Sequence, residues 1–238
     1  MSGIDHLIQS DRQFRLQLTS YLSDLVLERR LNLLREVLSR RTRYITVVLE
    51  DLYQPQNASA ALRSCECLGI QDVHIIENRN SFNVNPEVDM GASKWLTIKK
   101  YSGNKSITQE ALQTLRSSGY RIVATSPHSL GCSVRDFDTE KGKFAILFGT
   151  ELLGLSEEAM SLSEEFITIP MYGFTESYNI SVSVAITLYE LVHRAKANPA
   201  YPLSEYEKEV VLLDWLRKSV KNCHIVEKRF VAEYNKLH

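Results

Sequence analysis

Cysteine is scarce in this sequence and poorly placed for cross-linking. Its four thiols, Cys65, Cys67, Cys132 and Cys223, are spread over 238 residues, which makes no disulfide framework, and no C-x-x-C pair occurs. Cys65 and Cys67 point to different faces of an expected helix and read as small core residues. The six histidines show no metal-ligand spacing, so no metal is expected. No segment approaches the roughly 20 apolar residues of a membrane span, and the first residues lack the apolar core of a secretory signal. A formal net charge of -1 excludes a uniformly basic nucleic-acid coat and leaves local patches open. Repeats and low-complexity tracts are absent too. These absences predict a soluble, reduced, cytoplasmic protein with no metal and no membrane partner.

Apolar residues are abundant, 44% of the chain, enough for a substantial core in one generous domain or one domain with helical extensions. Charge is uneven. Between Arg29 and Arg43 stand six arginines against Glu36 alone, and a second basic run, Arg217, Lys218, Lys221, Lys228 and Arg229, lies near the C-terminus. The arginine-rich stretch is either a solvated helix face or a phosphate-binding one. Its preference for Arg over Lys fits the second, since the planar guanidinium fork binds phosphate bidentately.

Residues 11–41 carry apolar side chains near a 3.6 spacing and predict two helices. The β-branched run 44–49 (YITVVL) predicts a buried strand. A turn over 53–57 and a helix over 58–68, ended by Gly69, come next. Strands are expected at 73–76, 95–98 and 121–125, with a helix over 107–117. The polar stretch 77–91, about fifteen residues, is either a functional loop or a surface excursion. Two more strands, 144–148 and 166–169, run into loops rich in Gly, Thr, Ser and Asn, and a helix resumes at Ile180. Pro199 and Pro202 flank a linker. Beyond it Ser204 and Glu207 form a capping box for a helix whose stripe, Val210, Leu213, Leu216 and Val220, must be buried on the domain or on a partner subunit. Strands alternating with helices predict an α/β fold: a mostly parallel sheet with helices on both faces. The expected organisation is a helical extension over 1–43, a central domain over 44–198 and a helical extension over 199–238.

In such a sheet, ligands bind beyond the carboxyl ends of the strands, where helix N-termini and free backbone N–H groups converge. The candidate site therefore lies in the stretch 144–190, with Thr175, Glu176, Ser177, Asn179 and Ser181 at a helix start. Asn57, six residues before Arg63, stands at the turn that starts its helix and can cap it or hydrogen-bond a substrate. Glu151 follows a strand directly; it is either a surface Glu near a helix start or a carboxylate that orients Arg63 or the loop at 169–183. Ser177 and Asn179 can cap the last helix, line the site, or do both.

Three segments appear in fixed order: Asn57-Ala-Ser-Ala-Ala-Leu-Arg63, then Phe148-Gly-Thr-Glu151-Leu-Leu-Gly154, then Ile169-Pro-Met-Tyr-Gly-Phe-Thr-Glu-Ser177-Tyr-Asn179-Ile-Ser181-Val-Ser183. Together they resemble the three motifs of the SpoU/TrmH family of RNA ribose 2'-O-methyltransferases, in the SPOUT superfamily, over roughly residues 44–195. The lead-in, RRLNLLREVLSRRTRYITVVLEDLYQPQNASAALRSC, looks like the TrmH branch, whose members methylate guanosine 18 of the tRNA D-loop. Two departures from that branch bear on RNA docking: Asn32 and Leu33 stand where arginines are usual, and Gln56 where a His often precedes the asparagine.

The resemblance implies a C-terminal trefoil knot, a homodimer, and S-adenosylmethionine held by Thr125, Gly149, Ile169, Met171 and Tyr178, largely through backbone atoms. It implies catalytic roles for Arg63, Asn57, Glu151, Ser177 and Asn179 and RNA contacts at Arg30, Arg40, Arg41 and Arg43. The family assigns the critical role to Arg63, sometimes as a general base. A guanidinium is always protonated, which favours instead a role in binding phosphate and steadying a developing alkoxide, with a phosphate oxygen or water taking the proton. The short segment ahead of the first strand favours tRNA over rRNA. The alternatives are rRNA or another tRNA position, and a non-catalytic RNA-binding protein of the same fold.

Overall fold

The β-branched run after Arg43 folds into a strand buried at every residue, and the sheet grows outward from it. A computed structural model describes residues 3–103, 106–127, 131–150 and 153–237 of the protein. Along the chain the elements are α1 (Gly3–Ser10), α2 (Arg12–Ser23), α3 (Glu28–Leu38), β1 (Ile45–Glu50), α4 (Pro55–Cys67), β2 (Asp72–Glu77), α5 (Pro86–Asp89), a 3-10 turn at Ala92–Trp95, and β3 (Thr97–Ser102). Then come α6 (Ile107–Ser117), β4 (Arg121–Thr125), β5 (Cys132–Ser133), β6 (Phe144–Phe148), α7 (Glu157–Ser161), β7 (Glu165–Thr168), α8 (Ile180–Ala195), α9 (Glu205–Ser219) and α10 (Cys223–Leu237). They form two compact units, residues 42–202 and residues 1–41 with 203–238.

The unit 42–202 is a seven-stranded sheet in the order β3-β2-β1-β6-β4-β7-β5, with every neighbouring pair parallel. Alternate residues of the central strands face opposite layers. Val47, Leu49, Ile146 and Phe148 share a core with Leu62 of α4 and Val184 and Leu188 of α8. Val48, Ala145 and Leu147 share another with Leu112 and Leu115 of α6 and Ala159 of α7. Cover on both faces is why β6 reads as an unbroken apolar run and β1 as a mostly apolar, β-branched one. The carboxyl ends of β6, β4 and β7 consequently stand side by side, and Glu50 anchors the neighbouring end of β1. Its buried carboxylate accepts hydrogen bonds from Thr108 Oγ1 at 2.8 Å and from both the backbone N and Oγ of Ser156 at 2.8 Å, so the charge enters the interior fully partnered.

Three details go beyond the sequence expectation. β3 starts at Thr97 rather than at 95, because Trp95 closes the 3-10 turn and Gln71 Nε2 holds both Trp95 O and Thr97 Oγ1 at 3.1 Å. β5 adds a two-residue edge on β7, too short for any periodicity to announce it. The polar stretch 77–91 is pinned down rather than loose: Asn78 N and Arg79 N donate to Asp51 Oδ1 at 2.7 and 2.8 Å, Phe82 N to Glu77 Oε1 at 2.7 Å, and Asn85 N to Ser59 Oγ at 2.7 Å.

The two terminal segments, expected as separate extensions, pack into one unit. Phe14 meets Phe230 and Tyr234 edge-on, with centroids at 5.5 and 5.1 Å. Arg12 and Arg15 of α2 clasp the two oxygens of Glu209 of α9 at 2.8 and 2.9 Å. The Ser204–Glu207 capping box starts α9, whose Leu213 and Leu216 are buried where α9 packs on α2 and α3. The apolar stripe of α9 is thus covered within the chain, while Val220 ends the helix instead of extending the stripe.

His74 on β2 is buried beside Tyr101, with Nδ1 3.0 Å from the tyrosine hydroxyl. Burial, with Lys99 as the smaller cause, lowers its pKa from 6.5 to about 4. The unfolded chain therefore takes up this proton at a higher pH than the folded one. Stability from His74 is complete above pH 6.5 and drains as the pH falls to about 4, a loss on the order of 3 kcal/mol. Urea unfolding across that window should show a steeper decline for the wild type than for His74→Gln; matching declines would contradict a neutral buried imidazole.

Candidate active site

The loops leaving β4, β6 and β7 enclose a cavity of about 400 Å³. Thr125 closes β4 and gives its hydroxyl proton to Leu147 O of β6 at 2.7 Å, fixing that corner. After β6 the chain turns back on itself: Thr150 N donates to Gly154 O and Gly154 N to Thr150 O, both at 3.0 Å. The turn requires glycine at both ends. A Cβ on Gly149 would stand 2.1 Å from Gly154 O, and Gly154 has φ +68, where only glycine rests without strain. After β7 the chain runs through Ile169 and Met171 to Ser177 and Tyr178, and α8 contributes Ile180, Ser183 and Thr187 to the lining.

All five residues expected to hold the cofactor, Thr125, Gly149, Ile169, Met171 and Tyr178, line this cavity, and Ser177 joins them. Asn57 and Asn179 lie outside the lining but meet each other. Asn179 caps α8, its Oδ1 accepting from Ser181 N at 2.9 Å and Ser181 Oγ at 2.6 Å. Its Nδ2 donates to Asn57 Oδ1 at 3.1 Å. Asn57 does not cap α4. Pro55 opens that helix, after Gln54, and Asn57 sits in the first turn with Nδ2 bonded to Gln54 Oε1 at 3.1 Å. Arg63, on the same helix, is exposed, makes no ion pair or hydrogen bond among the described residues, and is not part of the cavity wall. Glu151 lies outside the described residues.

The arginines expected at RNA divide. Arg40 is exposed and pairs with Glu36 at 2.6 Å, and Arg30 is half-buried. Arg43 is half-buried and bonded to Asp72 at 3.1 Å. Arg41 differs from the others: it is 1% exposed, with its guanidinium 5.2 Å from the ring centroid of Trp215. Sequence periodicity could not find this, because Trp215 is far along the chain.

The lining also holds Glu176 and Thr187, outside the residues expected to bind the cofactor. Glu176 is the only charged side chain among the described residues of the wall, and its place in the polar cluster before α8 was the signal available. Thr187 gave none, standing in the middle of an apolar helix pattern.

Residues 44–189 match the model of the SpoU rRNA Methylase family. The chain belongs to this family. A SpoU relative from Borreliella burgdorferi, named tRNA (guanosine(18)-2'-O)-methyltransferase, is 44% identical over 207 residues, 87% of this chain and 93% of the relative. The Aquifex aeolicus TrmH/SpoU tRNA modifying enzyme has the same fold, with a TM-score of 0.72 at 31% identity over 83% of this chain and 100% of that one. The SpoU methyltransferase AviRb from Streptomyces viridochromogenes, in complex with AdoMet, shares the fold with a TM-score of 0.57 at 23% identity over 68% of this chain and 65% of its own. The SpoU segment thus covers the strands and loops that build the cavity, including all three motifs.

The contact at Gly149 gives a direct test. Gly149→Ala drives a methyl group into the Gly154 carbonyl, so the turn must open, at a cost of about 1–3 kcal/mol. Chemical unfolding should show that loss, and hydrogen exchange should show the Thr150 and Gly154 amides losing protection. Unchanged exchange at both would contradict the tight turn.

Proposed function

We propose that this SpoU protein is an S-adenosylmethionine-dependent tRNA ribose 2'-O-methyltransferase acting on guanosine 18 of the D-loop, in the cytoplasm. The observation that carries the reading is the third motif, which wraps the cavity with Ile169, Met171, Ser177 and Tyr178 in a chain whose relatives bear that name. A cavity of this size, with polar and apolar groups in its lining, suits a nucleoside-sized ligand. The missing side chain at Gly149 lets the Gly154 backbone pack directly against it, which holds this part of the cavity wall in place. Thr125, Gly149, Ile169, Met171 and Tyr178 would hold S-adenosylmethionine. When bound, it supplies an electrophilic methyl group on a sulfonium leaving group.

The protein's own task is to set the ribose oxygen in line and ease the loss of its proton. Alignment alone supplies several kcal/mol of the barrier. Arg63 binds the phosphate beside the target ribose and stabilises the developing alkoxide; as a permanent cation it is no base, so the proton passes to a phosphate oxygen or to water. Asn57 and Asn179 fix the helix starts around the site, Ser177 meets the substrate at the cavity mouth, and Glu151 orients Arg63 or the third-motif loop. Because Arg63 is exposed and outside the wall of its own cavity, we read the protein as a homodimer in which Arg63 of one protomer serves the cavity of the other. The outer side of α8 supports this, with Val182 42% and Tyr189 61% exposed, an apolar surface of the kind that symmetric contacts cover. The C-terminal trefoil knot belongs to the same proposal. Arg40 and Arg30 make the phosphate contacts, with Arg43 adding to them if it exchanges Asp72 for phosphate; Arg41 is left out.

The test is methyl transfer from labelled S-adenosylmethionine to an unmodified tRNA transcript, alongside one with the D-loop guanosine replaced. Label should enter the first and not the second. Equal labelling of both, or labelling of rRNA alone, would overturn the assignment. Arg63→Ala should lose at least about 100-fold in rate while calorimetry still detects S-adenosylmethionine binding; an active variant would remove Arg63 from the mechanism.

A further inference from the structure

Thr187 sits in the middle of α8, is 1% exposed, and lines the cavity, yet its Oγ1 has no hydrogen-bond partner among the described residues. Threonine and serine inside helices ordinarily return their proton to the carbonyl one turn back. Several elsewhere in this chain do, as Thr19 to Arg15 O at 2.8 Å, Ser64 to Ala60 O at 2.9 Å, Thr114 to Glu110 O at 2.9 Å and Ser219 to Trp215 O at 2.7 Å, while buried Thr108 and Ser59 find other partners in Glu50 and Asn85. A buried hydroxyl left unpaired is costly. Its exception here coincides with the cavity wall.

Resting on the functional reading above, we infer that the Thr187 hydroxyl is a binding group for the nucleoside end of S-adenosylmethionine. The cavity is graded. Its buried wall includes Gly149, Ile167, Ile180 and Thr187, whereas Leu153, Glu176 and Ser177 are exposed. The donor is graded likewise, with a flat uncharged purine at one end and a sulfonium and an ammonium toward the other. The cationic end belongs near Glu176, the single charge of the described wall, where water also solvates it. The purine belongs among the aliphatic side chains, and there a hydroxyl, able to give or accept a hydrogen bond, meets its ring nitrogens or the ribose. Thr187 is therefore a specificity residue for the nucleoside, remote from the transferred methyl group.

Full-length wild type, Thr187→Val and Thr187→Ser are compared by thermal unfolding without ligand and by calorimetric titration with S-adenosylmethionine and with adenosine alone. The valine variant should melt no lower than the wild type, since an unpaired hydroxyl is removed at constant shape, and should bind both ligands about five- to tenfold more weakly. The serine variant, which keeps the hydroxyl, should bind both within about twofold of the wild type. Wild-type affinity of the valine variant for both ligands would overturn the inference, as would a loss confined to S-adenosylmethionine with adenosine unaffected. Wild-type protein that binds neither ligand would instead overturn the functional reading, and this inference with it.

Discussion

A hydrogen bond between two amide side chains, Asn179 Nδ2 to Asn57 Oδ1 at 3.1 Å, joins the starts of the two helices that cover one face of the sheet. Each asparagine is committed on its other side, Asn179 to the first turn of α8 and Asn57 to Gln54 ahead of Pro55. Where one helix begins is therefore fixed by where the other does. α8 carries the wall residues Ile180, Ser183 and Thr187, and α4 carries Arg63. The pair thus sets the cavity wall and Arg63 in one frame. An amide suits this position because it donates and accepts at once; a carboxylate could not supply both.

The sheet supplies the rest of that frame. β6 lies between β1 and β4 with all five of its residues buried, so its carboxyl end cannot shift without disturbing both cores. The turn that follows is as constrained, since Gly149 touches the Gly154 backbone where no side chain fits. Glu50 ties the neighbouring end of β1 to the start of α7 through Ser156. Rigid backbone on three sides leaves the adjustable part of the site to the loop after β7, where Tyr172 and Phe174 are almost fully exposed at 97% and 109%. Electrostatically the described wall is nearly neutral, with Glu176 its one charge. A ligand with a net positive charge is favoured modestly there.

Much of this was readable from residues alone, and the unreadable part has a common cause. β1, β2, β4 and β6 announce themselves because a strand covered on both faces is rich in apolar and β-branched residues. The three motifs mark the cavity loops because glycine, threonine and asparagine at strand ends do work that few other residues can. What escaped depends on contacts between distant segments. The terminal helices looked like two extensions, since nothing in either segment reveals that Phe14 meets Phe230 or that Arg15 meets Glu209. Arg41 looked like its neighbours until Trp215 buried it. Asn57 reads from sequence as either a helix cap or a substrate contact, and nothing local reveals that it meets Asn179. Thr187 fits a helix pattern so well that only the missing hydrogen bond distinguishes it.

The central claim is that the loops closing the carboxyl ends of β4, β6 and β7 form the methyl-donor site. Photochemical cross-linking of tritium-labelled S-adenosylmethionine to the full-length protein, followed by mapping of the labelled peptide, tests it most directly. The label should fall within residues 125–127, 149–155 or 167–187 and be competed away by unlabelled donor. Label found in residues 1–41 or 203–238, with none in those three stretches, would contradict the account.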